Sequence, residues 1–460
     1  MKCALQARVA RSARILRDKT SQRERRVEIM KRSLSKFCLM VLGGVATVVT
    51  LAVGTAAQSV EIVATGHADL DVRNVQRAVD ENEHVTLIGH FSFDRLPTVL
   101  TALPNIYPPA TIRVWKSVSI SGVSGDDDEM TTIEGGTIPF YVEAPGASVT
   151  IQSLRFNRPT LDGILVYAVS GLTITKCKFK GIVPSVLGGA PTGSAIEINT
   201  VGNLPSPTQT GHPENIAGRL LITNNDIDLE SASVAENTLG ITIFGVGRSP
   251  DREADIYVSG NTIRRTTEPA INFRLLGGQA NVESNVINTG TVSSTLVPRP
   301  EAIRIANTGS YVIAHNKIDC EWPDADAMGI GVFSQFGVWQ LEHVVVMDND
   351  VTMSPPPGTV FGDFSAGISI RGFTGDNLVA NNRIRGHARA ALALDVFPLP
   401  PRPQGTPRNN ALVLNRVDDF EGAPVLIGQG INDTLVLEQQ GTSDDRGGTA
   451  TPPAPGGRRD

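Results

Sequence analysis

Two arginines, Arg274 and Arg304, sit in short strings of alternating apolar residues, AINFR and AIRI, and the alternation turns both side chains to one face. Strings of the same design carry Tyr167 (GILVY), Glu197 and Asn199 (AIEIN), Phe244 (GITIF), Phe333 (GIGVF) and Arg371 (GISIR), while Asn272 lies inside the Arg274 string. The rings among these residues can stack on the flat face of a ligand. The guanidinium and amide groups can give charge-assisted hydrogen bonds to hydroxyls or carboxylates. Arg274, Arg304 and Glu197 are the set's candidates for catalysis.

Such a surface exists only if the strings lie side by side, and a repeat provides for this. From residue 149 onward an apolar alternation is followed by two small or polar residues, then Asn, any residue, and Ile or Val: LLITNNDI, IYVSGNTI, ANVESNVI, YVIAHNKI, VVVMDNDV, NLVANNRI and ALVLNRV. This places Asn225, Asn261, Asn285, Asn316, Asn349, Asn382 and Asn415 in register, the last four spaced by 33 residues; Leu154 and Cys177 hold the position in two earlier copies. A Gly/Ala-apolar-x-apolar string follows each copy. Both elements have the period of two of half-buried strands, and two short strands with turns per unit fit a solenoid of stacked coils. In such a stack each Asn can bond its own coil's backbone and the Asn of the next coil, so the column reads as structural.

These repeats resemble the right-handed parallel β-helix family that shares the pectate-lyase-like fold, over about residues 110 to 438. The resemblance implies an all-β solenoid. It also implies that DVRNVQRAVDENEHVTLIGHFSF is the opening segment, with a short capping helix at about 71–81 whose apolar face is Val72, Val75, Ala78 and Val79. Function does not follow from the fold, which hosts lyases, hydrolases, epimerases, adhesins and accessory factors. Polygalacturonase-type hydrolases carry Asn-Thr-Asp, Asp-Asp, Gly-His-Gly and Arg-Ile-Lys. The nearest strings here, Asn199-Thr200-Val201, Gly386-His387-Ala388 and Arg383-Ile384-Arg385, fall in the wrong order, and no paired carboxylates are visible. Pectate lyases use an Arg base beside acidic calcium ligands; Arg274 or Arg304 would take that part, with Glu197 three coils from Arg304, yet no carboxylate cluster is seen around either.

The rest of the chain bounds the reading. Residues 1–57 hold 12 Lys/Arg and 3 Asp/Glu, leaving 29 basic and 44 acidic residues beyond, a net −15 that disfavours binding to nucleic acid. From Met30 a basic stretch, an apolar run from Cys38 to Val53 and GTAAQS form a secretory signal with cleavage expected near Ala57, the protein then being secreted or periplasmic; an uncleaved anchor is the alternative. The expected organisation is a basic leader and signal (1–57, the true start at Met30), a cap (58–109), the β-helix (110–438) and a disordered Gly/Pro/Asp-rich tail (439–460).

Long insertions flank the Gly/Ala-Ile-x-Ile strings on both sides, among them IVPSVLGGAPTG, TGTVSSTLVPRP and GVGRSPDREA, and these should wall a groove over that sheet. The expected ligand is a polysaccharide or cell-surface glycan, contacted by Tyr167, Asn199, Phe244, Asn272, Arg274, Arg304, Phe333 and Arg371. Lyase or glycosidase chemistry is one extension of this reading. The alternative is a non-catalytic structural or surface-interaction protein. No pair of His has metal-ligand spacing, acid-rich 125–130 and 319–328 are the candidates for calcium, and the Met/His/Cys cluster of a copper-maturation factor is missing.

Overall fold

The structure, a computed structural model, describes residues 59–441 apart from 94–110, 126–128, 188–189, 201–214, 232, 250–251, 297–299, 335–340, 373, 396–404, 429–430, 432–433 and 438–439. The leader at 1–57 and the tail from 442 lie outside the described residues.

The chain winds into a right-handed parallel β-helix with three strand-bearing walls. The first wall holds the Gly/Ala-Ile-x-Ile strings, in Asp162–Thr175, Ala190–Asn199, Asn237–Ser249, Ile271–Glu283, Glu301–Ala314, Met328–Phe333, Ala366–Arg371 and the second half of Arg383–Asp395. The second wall carries strands such as Gly218–Thr223 and Val344–Met347, and the third carries Asp226–Asp228 and Asp350–Met353. Each strand pairs in parallel register with its equivalents one coil before and one coil after. The inward column of the first wall therefore stacks Ile164, Ile196, Ile241, Ile271, Ile303, Ile330, Ile368 and Leu392 directly upon one another, all of them buried. Aliphatic side chains repeated at one coil's rise, about 4.8 Å, fill the tube without gaps.

The Asn column lies at the corner between the second and third walls. The backbone turns there through a left-handed residue immediately before each Asn, as at Ser284 (φ 58°), His315 (φ 57°) and Leu414 (φ 53°). Each following Asn is fully buried and locks the turn. The Nδ2 of Asn316 donates to Val282 O in the preceding coil (2.9 Å) and to Asn349 Oδ1 in the next (2.9 Å), while its Oδ1 accepts from the N–H and Nδ2 of Asn285 (3.0 and 2.9 Å). The same bonds recur without a break from Asn225 to Asn415. Where Leu154 and Cys177 take the position they are buried too, and both Cys177 and Cys320 are free thiols that burial pushes up to about 12.

The ladder begins earlier than expected. Ser59–Val63 pairs with His84–Ile88, which pairs with Val118–Gly122, so the segment assigned as a cap already contributes strands. The helix spans Ala68–Glu81 and buries Val72, Val75, Ala78 and Val79 over the open end of the coils. Its Asp71, buried in the first turn, accepts from Thr65 N–H, Thr65 Oγ1 and Ser92 N–H, tying the helix to the strands on either side.

Candidate functional site

The two outward columns of the first wall are aligned as the alternation requires. Leu165, Glu197, Thr242, Asn272, Arg304, Gly331, Ser369 and Ala393 are successive register partners, and so are Asn199, Phe244, Arg274, Ala306, Phe333, Arg371 and Asp395. Outward does not mean exposed, however. Arg304, Phe333 and Arg371 are 5%, 7% and 3% exposed, and Asn272 is 4% exposed. These four side chains are buried within the face and not open to solvent. Arg371, for example, donates from Nη2 to the Phe364 carbonyl (2.7 Å) and lies 4.3 Å over the Phe364 ring. Tyr167, Glu197, Asn199, Phe244 and Arg274 remain partly exposed and form a shorter open row at the earlier coils. Arg274 stacks over Phe244, its guanidinium carbon 5.4 Å from the ring centroid.

Two carboxylate groupings that the sequence did not reveal occupy this floor. Arg304 is surrounded by acids: its Nη2 lies 2.5 Å from Glu301 Oε2 and 3.7 Å from Glu268 Oε2, and its Nε donates to the same Glu301 oxygen (2.6 Å). The expectation that no carboxylate cluster surrounds the arginines is therefore corrected. Burial works against the charge on Arg304, yet Glu301 and Glu268 outweigh it and hold the guanidinium above its usual range. Glu268 is buried and pushed up to about 8, since the attraction of Arg304 does not offset its desolvation. Arg274, whose burial is compounded by the like charge of Arg304, is lowered to about 10. Gly331 makes room for this arrangement: a Cβ there would fall 2.6 Å from Glu301 Cγ.

The second grouping is a carboxyl pair at the earlier end of the open row. Asp162 and Glu197 come from adjacent coils, Asp162 opposite Ser194 in register and Glu197 three residues further along the strand. Ser194 bonds both carboxyl groups and brings them together. Ser194 N–H donates to Asp162 Oδ1 (3.0 Å), Ser194 Oγ to Glu197 Oε2 (3.3 Å) and Asn199 Nδ2 to Glu197 Oε1 (2.7 Å). Burial first, and then the charge of Glu197, raise Asp162 well above the ordinary carboxylate range. Glu197 is raised less, because hydrogen bonds from Asn199, Ser194 and Asp162 oppose its burial. Two buried carboxyls so close disfavour ionising together, which favours one proton held by the pair. Paired carboxylates, absent as a motif, are thus present in space.

Several buried polar atoms of this floor have no hydrogen-bond partner among the described residues: Thr242 Oγ1, Glu268 Oε1, Asn272 Oδ1, Arg274 Nε and Ser369 Oγ. Native proteins satisfy nearly all such groups, so their concentration on one face marks a place where something else completes them. Elsewhere, Glu342, His343 and Asp376 bring ligand-type atoms within 4.8 Å of one another at the surface. In the 319–328 loop Asp324 and Asp326 close turns, accepting from Asp326 N–H (2.8 Å) and Phe364 N–H (2.9 Å). The other candidate calcium loop, 125–130, lies partly outside the described residues.

Fold and floor together define a parallel β-helix with a row of polar and ring side chains on the outer face of one wall. No known protein family matches the sequence, and no curated protein matches it. Solved structures with a similar course of the backbone include the A-module of the Azotobacter vinelandii mannuronan C-5 epimerase AlgE6, at 13% identity over 81% of this chain and 95% of that one, with a TM-score of 0.38. The tailspike protein of E. coli bacteriophage HK620, solved with a pentasaccharide, is 13% identical over 82% of this chain and 63% of its own (TM-score 0.39). PfbA, a surface adhesin of Streptococcus pneumoniae, is 10% identical over 83% and 92% (TM-score 0.33).

Proposed function

We propose that this is an exported protein that binds a polysaccharide along the outer face of the first wall, over the open row Tyr167, Asn199, Phe244 and Arg274. The observation that carries this reading is the set of buried, unpartnered polar atoms at Thr242, Asn272 and Arg274 directly beside that row. A ligand rich in hydroxyls supplies donors and acceptors to all three, whereas an apolar ligand would leave them orphaned at about 1–3 kcal/mol each. The Phe244 ring with Arg274 upon it adds a platform of the kind on which a sugar ring stacks. Export rests on the signal-like sequence at Met30–Ala57.

A glycan array followed by titration calorimetry tests the reading. Arg274→Ala should weaken binding of any hit about tenfold or more, the worth of a charge-assisted contact. Arg264→Ala, on the third wall and paired there with Asp226, should bind like the parent. If Arg274→Ala also binds like the parent, the open row is not the ligand site and a non-catalytic structural role becomes the better account.

A further inference from the structure

We propose that Asp162 and Glu197 form a single-proton carboxyl dyad that hydrolyses carboxylic ester groups carried by the bound saccharide, with Glu197 handling the proton and Thr242 holding the oxyanion. The inference rests on the saccharide reading for its ligand, and on geometry for its chemistry. Glycosidic cleavage by two carboxyl groups needs them apart on either side of the sugar, about 5–5.5 Å for retention and about 6.5–9.5 Å for inversion. Asp162 and Glu197 instead lie together around Ser194, whose N–H donates to Asp162 Oδ1 and whose hydroxyl donates to Glu197 Oε2. That arrangement suits attack on a planar carbonyl carbon, where water and leaving group are served from the same side.

Thr242 is an independent observation pointing to a ligand here. It is the register partner of Glu197 one coil on, is 7% exposed, and its Oγ1 has no partner among the described residues. Its backbone therefore lies about 4.8 Å along the stack from that of Glu197, with the unpartnered hydroxyl on the same outward column, able to donate to a carbonyl oxygen. Burial and then the charge of Glu197 act on Asp162, and the other groups bonded to the pair, Ser194 and Asn199, do not titrate.

The step balances with water as the sole co-reactant. The oxygen of a water bound against the partly exposed Glu197 forms a bond to the ester carbon as one of its protons passes to the Glu197 carboxylate. The carbonyl π electrons move onto the oxygen, which the Thr242 hydroxyl and its hydrogen bond stabilise. On collapse the bond to the alcohol oxygen breaks, and the departing alkoxide takes the proton from Glu197. An acid and an alcohol result, and the dyad retains the one proton with which it began.

Esters occur on saccharides as O-acyl groups on hydroxyls and as alkyl esters of acidic sugars, and the carbonyl chemistry is shared. The test incubates the protein with p-nitrophenyl acetate, an O-acetylated neutral polysaccharide and a methyl-esterified polyuronate, reading nitrophenol, acetate and methanol. Release from at least one is expected; acetate or methanol tells which source applies. Glu197→Gln should lower the rate by about 10²–10⁴-fold, the usual worth of general acid–base catalysis. Asp162→Asn should shift the acidic limb of the pH–rate profile, which in the parent is set by the pair as a unit. Thr242→Val, nearly isosteric and safe for the fold, should lower kcat with little change in KM. No release from any of the three esters overturns the proposal, as does full activity in both Glu197→Gln and Thr242→Val. Polysaccharide binding without ester release would overturn the dyad chemistry and leave the binding reading standing.

Discussion

Replacing Asn316 by Ala should destabilise the coil stack by at least about 3 kcal/mol, and the figure can be worked bond by bond. The substitution removes four hydrogen bonds and orphans three buried groups: the Asn285 N–H, one Nδ2 proton of Asn285 and the Val282 carbonyl. Each buried orphan costs about 1–3 kcal/mol, so the lower bound is near 3 kcal/mol. The ladder supplies its own control. Asn225, its first member, accepts only from the Cys177 N–H on its near side and donates to the Ile174 carbonyl, so its removal orphans two groups and should cost about one-third less. Equilibrium urea denaturation followed by circular dichroism measures both, with the slope checked because stacked coils can unfold in parts. The reasoning fails if Asn316→Ala lies within about 0.5 kcal/mol of the parent, or if Asn225→Ala proves the more damaging of the two.

Two further outcomes concern the acids around Arg304. Arg304→Met leaves the buried Glu301 without its cation and should destabilise by about 3–5 kcal/mol near neutral pH, with part of the loss recovered in acid as Glu301 takes up a proton; Glu268, already mostly protonated there, contributes little to the loss. Unchanged urea midpoints at pH 7 would contradict the ion-pair assignment. Glu268 has a folded-state value of about 8 against an ordinary 4.5, so the folded protein binds the extra proton between those values. Its contribution is fully present below about pH 4.5 and is lost as pH rises through 8, at up to about 1.4 kcal/mol per pH unit. Glu268→Gln should flatten the fall in stability between pH 5 and pH 9; an unaltered slope would show that Glu268 is not the titrating group.

The fold was legible because a solenoid writes its register into the chain. A 33-residue spacing of Asn and a period of two around each Ile are local signals, and stacking turns them into columns whose partners can be named in advance, as Asn272 with Arg304 or Phe333 with Arg371. The start of the ladder was not legible, because Ser59–Val63 and His84–Ile88 carry no Asn turn and are separated by the helix. Nor was the burial of Arg304 and Arg371, since alternation fixes which face a side chain leaves by and says nothing of what lies over it.

The carboxyl groups of the floor escaped notice for a more specific reason. The face has a further outward set three residues upstream of the Glu197 to Arg304 column, with Asp162 opposite Ser194 at one end and Glu301, Met328 and Ala366 in register succession at the other. The signal was present as an acid directly before the Gly/Ala of a string, Asp162-Gly163-Ile164 and Glu301-Ala302-Ile303. A motif search cannot see that Asp162 and Glu197, 35 residues apart, touch, because in a coil fold the chemistry is written across the stack and not along the strand. The same geometry separates the roles of the two acids. Glu301 faces a guanidinium and can be accounted for as a structural ion, whereas Asp162 and Glu197 face each other with no cation bonded to either. Two adjacent buried acids gain nothing for stability from being carboxyls. The pair lies one to three coils from Phe244 and Arg274, within reach of the single saccharide chain proposed to bind there.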